Sequence, residues 1–217
     1  MHFNTVFFDL DGTLYSNTTG IWLEIKQRIS HYMIEILGFT PEEQTALRDH
    51  YLREYGTTLR GLQIHHHVNA EEFLAYVHDV PVDAYIKPSH ELGEFLGQLP
   101  QKKWIFTNAD DAHAGRVLQA LGLQDCFDGI IDIHRLNFAC KPLPQAYETA
   151  LKLAGEVRPQ DCIFVDDMPR NLVPAKAMGF YTVLVDENGH ADVDTVWDTR
   201  VERVIDLRYA LPDLWAN

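Results

Sequence analysis

Short runs that are apolar almost throughout recur along the second half of the chain and once near its start. Val6-Phe7-Phe8, Trp104-Ile105-Phe106, Gly129-Ile130-Ile131, Cys162-Ile163-Phe164-Val165 and Thr182-Val183-Leu184-Val185 do not alternate with polar residues, which predicts short strands covered on both faces. Between them, Ala112 to Leu121, Pro144 to Leu153 and Pro169 to Met178 carry amphipathic helical spacing, with Gly122 and Gly179 at the positions where a helix stops. Buried strands alternating with helices predict an α/β fold, a doubly wound parallel sheet with helical crossovers.

The stretch from Thr18 to Tyr85 breaks that rhythm. Ile21 to Leu37, Glu42 to Tyr55, Leu59 to Val68 and Ala70 to His78 read as helices with no strand between them, and Pro81 and Pro88 bracket the way back. The expected organisation is a core formed by residues 1–17 and 86–217, with an all-helical cap over 18–85. Ligands of open α/β sheets bind beyond the carboxyl ends of the strands, so an insertion leaving the first strand there sits over the site as a lid. In the first of these helices Ile21, Ile25, Ile29 and Met33 share one face and are expected to pack into a core.

Composition narrows the partners. The 217 residues carry 32 acidic against 18 basic side chains, a formal charge of −14, which repels nucleic-acid polymers and anionic membrane surfaces. A phosphorylated small molecule then needs locally placed cations. The start of the chain lacks signal-peptide form and no apolar run approaches membrane-spanning length, so a cytoplasmic protein is expected. Cys126, Cys140 and Cys162 are isolated, without metal-ligand spacing, and read as reduced thiols. Oligomeric state is left open.

The candidate chemistry lies where the strands end. Asp9-Leu10-Asp11-Gly12-Thr13 follows Val6-Phe7-Phe8, so two carboxylates share one direction while Leu10 turns into the core and Gly12 permits a sharp turn. One acid can attack a substrate or grip a cation while the other moves a proton. Thr107-Asn108 follows the second run, where a helix N-terminus attracts phosphate oxygens; capping by Asn108 or Asp110 explains those residues equally well. Lys141-Pro142 precedes another helix, either as a cation for a phosphate and a carboxylate or as a solvated loop lysine. Asp166-Asp167 ends the most apolar run, with Asn171 a turn further on; the pair is either an acidic first helical turn or part of a cation site. Magnesium takes one or two carboxylates plus substrate phosphate, which Asp9 and Asp167 would supply.

In order and spacing, Asp9-Leu10-Asp11-Gly12-Thr13, Thr107-Asn108, Lys141-Pro142 and Asp166-Asp167 resemble the four motifs of the haloacid dehalogenase-like hydrolase superfamily. The helical insertion between the first two resembles the cap of its first subclass. The resemblance implies that Asp9 is a nucleophile forming an aspartyl-phosphate and that Asp11 protonates the leaving oxygen and then deprotonates water. It further implies that Lys141 and Thr107 hold the phosphoryl group with help from Asn108. Magnesium would be bound by Asp9, the Asp11 main-chain carbonyl and Asp167, with Asp166 behind them. Members that displace halide lack the second acid and need no magnesium, so Asp11 separates this chain from them.

Within the expected cap, Tyr55-Gly56-Thr57-Thr58-Leu59-Arg60-Gly61-Leu62 resembles the branch of pyrimidine 5′-nucleotidases, as do Phe7 to Tyr15 and Phe164 to Asp167. Thr57 and Thr58 can hydrogen-bond a base or ribose, Arg60 can donate a planar fork and Tyr55 can stack. The expected substrate is a nucleoside monophosphate. Other small phosphate esters, a phosphomutase reaction and a catalytically silent binding protein are the competing readings. His65, His66 and His67 point about a hundred degrees apart on a helix and are expected to be cap residues rather than one metal site.

Overall fold

The computed structural model describes residues 3–156, 158–187, 189 and 196–215. Six parallel strands form one sheet in the order β3-β2-β1-β4-β5-β6, where β1 is Thr5–Phe8, β2 Lys102–Phe106, β3 Gly129–Ile131, β4 Cys162–Asp166, β5 Tyr181–Val185 and β6 Thr199–Val201. This is the expected doubly wound α/β fold. The strands sort their residues by parity. Val6, Phe8, Ile163 and Val165 enter one core, whereas Phe7, Cys162 and Phe164 enter the other. Helices α6 (His90–Gln98) and α7 (Asp111–Leu121) cover the first face; α8 (Pro144–Ala154) and α9 (Pro169–Met178) cover the second.

Between β1 and β2 the chain is helical. Helices α1 (Ile21–His31), α2 (Pro41–Tyr55), α3 (Thr58–His66) and α4 (Ala70–Val77) precede a one-turn α5 (Val82–Tyr85). Thr40 and Glu43 form a reciprocal capping box at the start of α2, Thr57 caps α3 and Asn69 caps α4. The expected single helix from Ile21 to Leu37 instead passes into a π-turn at Tyr32–Ile36, where five residues per closed ring replace the regular ladder. Ile21, Ile25 and Met33 are buried as their spacing implied. Tyr32, Met33, Tyr51, Leu62, Phe73 and Val77 make a third apolar cluster, which reaches the sheet side through Ile133 and Cys140.

The last strand and the tail had no counterpart in the periodicity. Of the tail beyond residue 187, residues 188, 190–195, 216 and 217 lie outside the described residues. Leu214 is buried against the first core and its carbonyl accepts from Gln101 Nε2 at 2.9 Å, so this part of the tail docks on the core. No helix among the described residues is long and apolar enough to cross a membrane.

Candidate active site

Parallel register brings the motifs to one level. Phe8 pairs with Ile105 on one side and Val165 on the other, so Asp9 emerges beside Phe106 and Asp166 at the carboxyl edge of the sheet. Asp9 N donates to Val165 O at 2.8 Å and fixes the exit of β1. Gly12 turns the chain with φ +88°, and a Cβ there would lie 2.6 Å from Asp167 Oδ2, so both conformation and space require glycine.

Lys141 is the hinge of the electrostatics. Its ammonium is 1% exposed and donates to Asp9 Oδ1 at 2.7 Å, Asp166 Oδ2 at 2.8 Å and Phe106 O at 2.7 Å, which uses all three protons. Burial disfavours its charge, but Asp166 and Asp9 outweigh that and hold it above the ordinary lysine value. The solvated-loop reading of Lys141 is therefore excluded. Asn108 clamps the lysine's main chain from both sides: Nδ2 donates to Lys141 O at 3.0 Å and Oδ1 accepts from Lys141 N at 2.8 Å. Asp110, not Asn108, caps α7. Thr107 is buried and its Oγ1 accepts from Ala109 N at 3.0 Å.

Asp166 is enclosed. Besides Lys141 it accepts from Asn171 Nδ2 at 3.0 Å on each oxygen and from Met168 N at 2.8 Å. Asp167 differs: Oδ2 accepts from Asn17 Nδ2 at 2.8 Å, while Oδ1 is buried without a partner. Oxygens of Asp9, Asp166 and Asp167 lie within 4.8 Å of one another. Burial, with Asp166 next, pushes Asp167 up to about 7; burial also raises Asp9 well above the carboxylate range against the pull of Lys141. Crowded carboxylates, one with an orphaned oxygen, are a donor set suited to a hard divalent cation.

Asp11 lies away from this cluster. Its Oδ1 accepts from Tyr15 O–H at 2.5 Å and faces His113 Nε2 at 2.9 Å. Burial opposes its ionisation, yet His113 and then Tyr15 keep it below the ordinary carboxylate value. His113 was not singled out by sequence reasoning, nor was His78, whose ring stacks on it at 4.4 Å. The legible signal was Asp110, His113 and Arg116 spaced three apart on α7: Asp110 Oδ2 meets His78 Nδ1 at 2.7 Å, and Arg116 donates to His78 O at 2.8 Å.

A cavity of about 640 Å³ lies between the sheet edge and the helical insertion, with Asp9, Asp11, Thr107, Asn108, Lys141 and Asp167 on its sheet side. Ile25, Ile29, Phe73, Leu74, Val77 and the half-exposed Trp22 line the helical side. The face of α1 expected only to pack thus also lines the cavity. Lys26, Arg48 and Arg170 reach it too, locally reversing the sign of an acidic chain. Thr57 and Thr58 line it, although Thr57 Oγ1 accepts from Arg60 N at 3.1 Å as a cap. Arg60 and Tyr55 do not line it, because Tyr55 turns toward His65, which its hydroxyl meets at 2.8 Å. His65, His66 and His67 are exposed, and His66 Nε2 meets Tyr51 O–H at 2.8 Å.

A family model described as haloacid dehalogenase-like hydrolase matches residues 3–179. The chain belongs to that family. Among curated relatives, Phosphate metabolism protein 8 of Saccharomyces cerevisiae is 34% identical over 192 residues; the match covers 82% of this hydrolase-family chain but only 60% of the yeast protein. Validoxylamine A 7′-phosphate phosphatase of Streptomyces hygroscopicus subsp. limoneus is 24% identical over 95% of this chain and 97% of its own length. Among solved structures, a phosphatase of the family from Thermococcus onnurineus superposes with a TM-score of 0.64 at 22% identity, covering 95% of this chain and 96% of the other, a likeness of fold.

Proposed function

We propose that this haloacid dehalogenase-like chain is a magnesium-dependent phosphomonoester phosphatase that takes nucleoside 5′-monophosphates, pyrimidines foremost. The observation that carries the reading is the Lys141 ammonium, which locks the Asp9 carboxylate at 2.7 Å on the floor of the cavity with Asp11 on the same side. Asp9 attacks phosphorus in line as the bond to the ester oxygen breaks, giving an aspartyl-phosphate. Asp11, ionised in the free site, first takes up a proton from solvent on its second oxygen and then gives that proton to the departing oxygen. It then takes a proton from the water that attacks phosphorus, and inorganic phosphate and free Asp9 result.

Lys141 and Thr107 hold the transferring group, while Asn108 and Asp166 keep Lys141 in place. Asp9, Asp167 and the Asp11 main-chain carbonyl would hold the magnesium ion, with Asp166 behind them. When bound, the ion neutralises charge on the phosphoryl oxygens and on the crowded carboxylates. The helices of residues 18–85 act as the cap, against the core of 1–17 and 86–217. The name of the Streptomyces relative supports the phosphatase reading, and that of the yeast relative is compatible with it.

Nucleotide preference is supported by the division of the cavity: an apolar wall of Ile25, Ile29, Phe73 and Trp22 suits a flat base, and Thr57, Thr58 and Arg48 offer polar groups beside it. Arg48 lines the cavity, and its Nε has no partner within the protein. Arg60, which does not line the cavity, is left out of this assignment. Its volume lies within the range of roughly 300–1,000 Å³ typical of small-molecule sites. The test is phosphate release from uridine and cytidine 5′-monophosphates beside phosphoglycolate and hexose phosphates, with and without magnesium. Nucleotides should rank first, and only with the metal. Equal ranking removes the substrate assignment, and hydrolysis without metal removes the cofactor.

A further inference from the structure

Asp11 does not reach the reaction unsupported. Its Oδ1 is fixed from two directions, by the Tyr15 hydroxyl at 2.5 Å and by the His113 ring nitrogen Nε2 at 2.9 Å. His113 is fully buried, and its orientation is determined on three sides. Its main-chain N–H donates to Asp110 Oδ1 at 2.6 Å, its face stacks on His78 at 4.4 Å and an interplanar angle of 23°, and its edge meets Asp11. His78 ends α4 of the helical insertion and is itself held by Asp110 and by Arg116. His113 Nδ1 has no partner, so the ring nitrogen engaged is Nε2, which faces Asp11.

We propose that His113 is a positioning residue for Asp11, an N–H donor that, with Tyr15, aims the second oxygen of that carboxylate at the leaving group. The assignment rests on Asp11 being the proton-transfer residue proposed above. It adds that the aim is set by the first turn of α7 and by the residue that closes the C-terminal end of α4, so the cap contributes to chemistry as well as to the substrate wall. An imidazole locked by its neighbours costs no reorganisation when the proton moves, and a carboxylate that swings freely loses much of its advantage. His113 makes its hydrogen bonds to Asp110 and Asp11, and none to Asp9, Lys141 or Thr107. Its removal therefore acts on proton delivery, not on ground-state binding of the phosphoryl group.

The experiment compares kcat/KM on two esters, p-nitrophenyl phosphate, whose leaving group needs little protonation, and an alkyl phosphomonoester, uridine 5′-monophosphate or glycerol 3-phosphate, whichever is turned over. His113→Phe keeps the ring and the stacking but removes the donor. It should lose about 10- to 100-fold on the alkyl ester and less than about threefold on the aryl ester, with the inhibition constant for inorganic phosphate unchanged. His113→Gln, whose amide nitrogen approximates the position of Nε2, should recover most of the loss, and Tyr15→Phe should repeat the pattern more weakly. Equal losses on both esters, or no rescue by glutamine, overturn the proposal. Asp11→Asn in the same series separates the levels: if it too ignores the leaving group, the acid–base role of Asp11 falls and the proposal falls with it.

Discussion

The sheet side of the cavity and its helical side are built by opposite means. On the sheet side the polar groups are densely paired: three acceptors for Lys141, two main-chain contacts for Asn108 and four accepted hydrogen bonds for Asp166, with Asp167 Oδ1 left unpartnered. On the helical side Ile25, Ile29, Phe73, Leu74 and Val77 present apolar surface, held by packing alone. A hydrogen-bonded network tolerates almost no change of residue type, whereas an apolar wall tolerates any exchange that conserves volume. The first arrangement suits a fixed reaction and the second an adjustable choice of substrate.

The contrast breaks most visibly at Asp9. Asp9→Asn should lower turnover by about 10⁴-fold or more while circular dichroism stays that of the parent chain, because the proposed nucleophile is lost and the hydrogen-bonding shape is kept. Lys141→Ala should come next. It leaves Asp9, Asp166 and Asp167 crowded without their ammonium, a cost of about 3–5 kcal/mol in urea unfolding, part of which added magnesium should restore.

The seam between the two sides responds to acid. Burial acts to raise Asp110, but the hydrogen bond and charge of His78, together with the main-chain N–H and ring of His113, outweigh it and hold the carboxyl at about 2. A carboxylate held below its unfolded value adds stability above that value and loses it as pH falls. The loss should therefore run from about pH 4 to about pH 2, amount to roughly 2 kcal/mol, and vanish from the pH dependence of Asp110→Asn. The smallest effect belongs to the helical side. Trp22, 37% exposed, contributes little to folding, so Trp22→Ala should raise KM for nucleotides by roughly fivefold and leave kcat and phosphate inhibition unchanged. A fall in kcat instead would mean that the apolar wall also aligns the reacting group.

Legibility followed the same division. Val6 to Phe8 and Cys162 to Val165 were readable as strands because both faces are buried and no polar residue interrupts them. Thr199–Val201 was not, being three residues long with Arg200 exposed. Asp9 and Asp167 stood out because each follows a strand, whereas Lys141 was singled out only by the order and spacing of the motifs. The meeting of Asp9 and Asp166 at Lys141 Nζ needed the register of β1 between β2 and β4, which no segment carries by itself. His78 and His113 escaped notice because they meet through stacking across 35 positions of chain, and each alone looks like an ordinary helix residue. Arg60 misled for a related reason: a local motif reveals which residues are near a junction but not which way a helical side chain turns.

Gly56 carries a practical lesson. It joins α2 to α3 with φ +82°, and a Cβ there would lie 2.5 Å from the carbonyl of Lys141, while its own carbonyl accepts from Arg170 at 3.1 Å. The junction is thus a spacer of fixed thickness between the helical insertion and the Lys141 peptide. Anyone grafting a different helical segment onto this sheet to change its substrate should keep that residue unaltered, since a single added methyl group would lift the graft or shift the lysine.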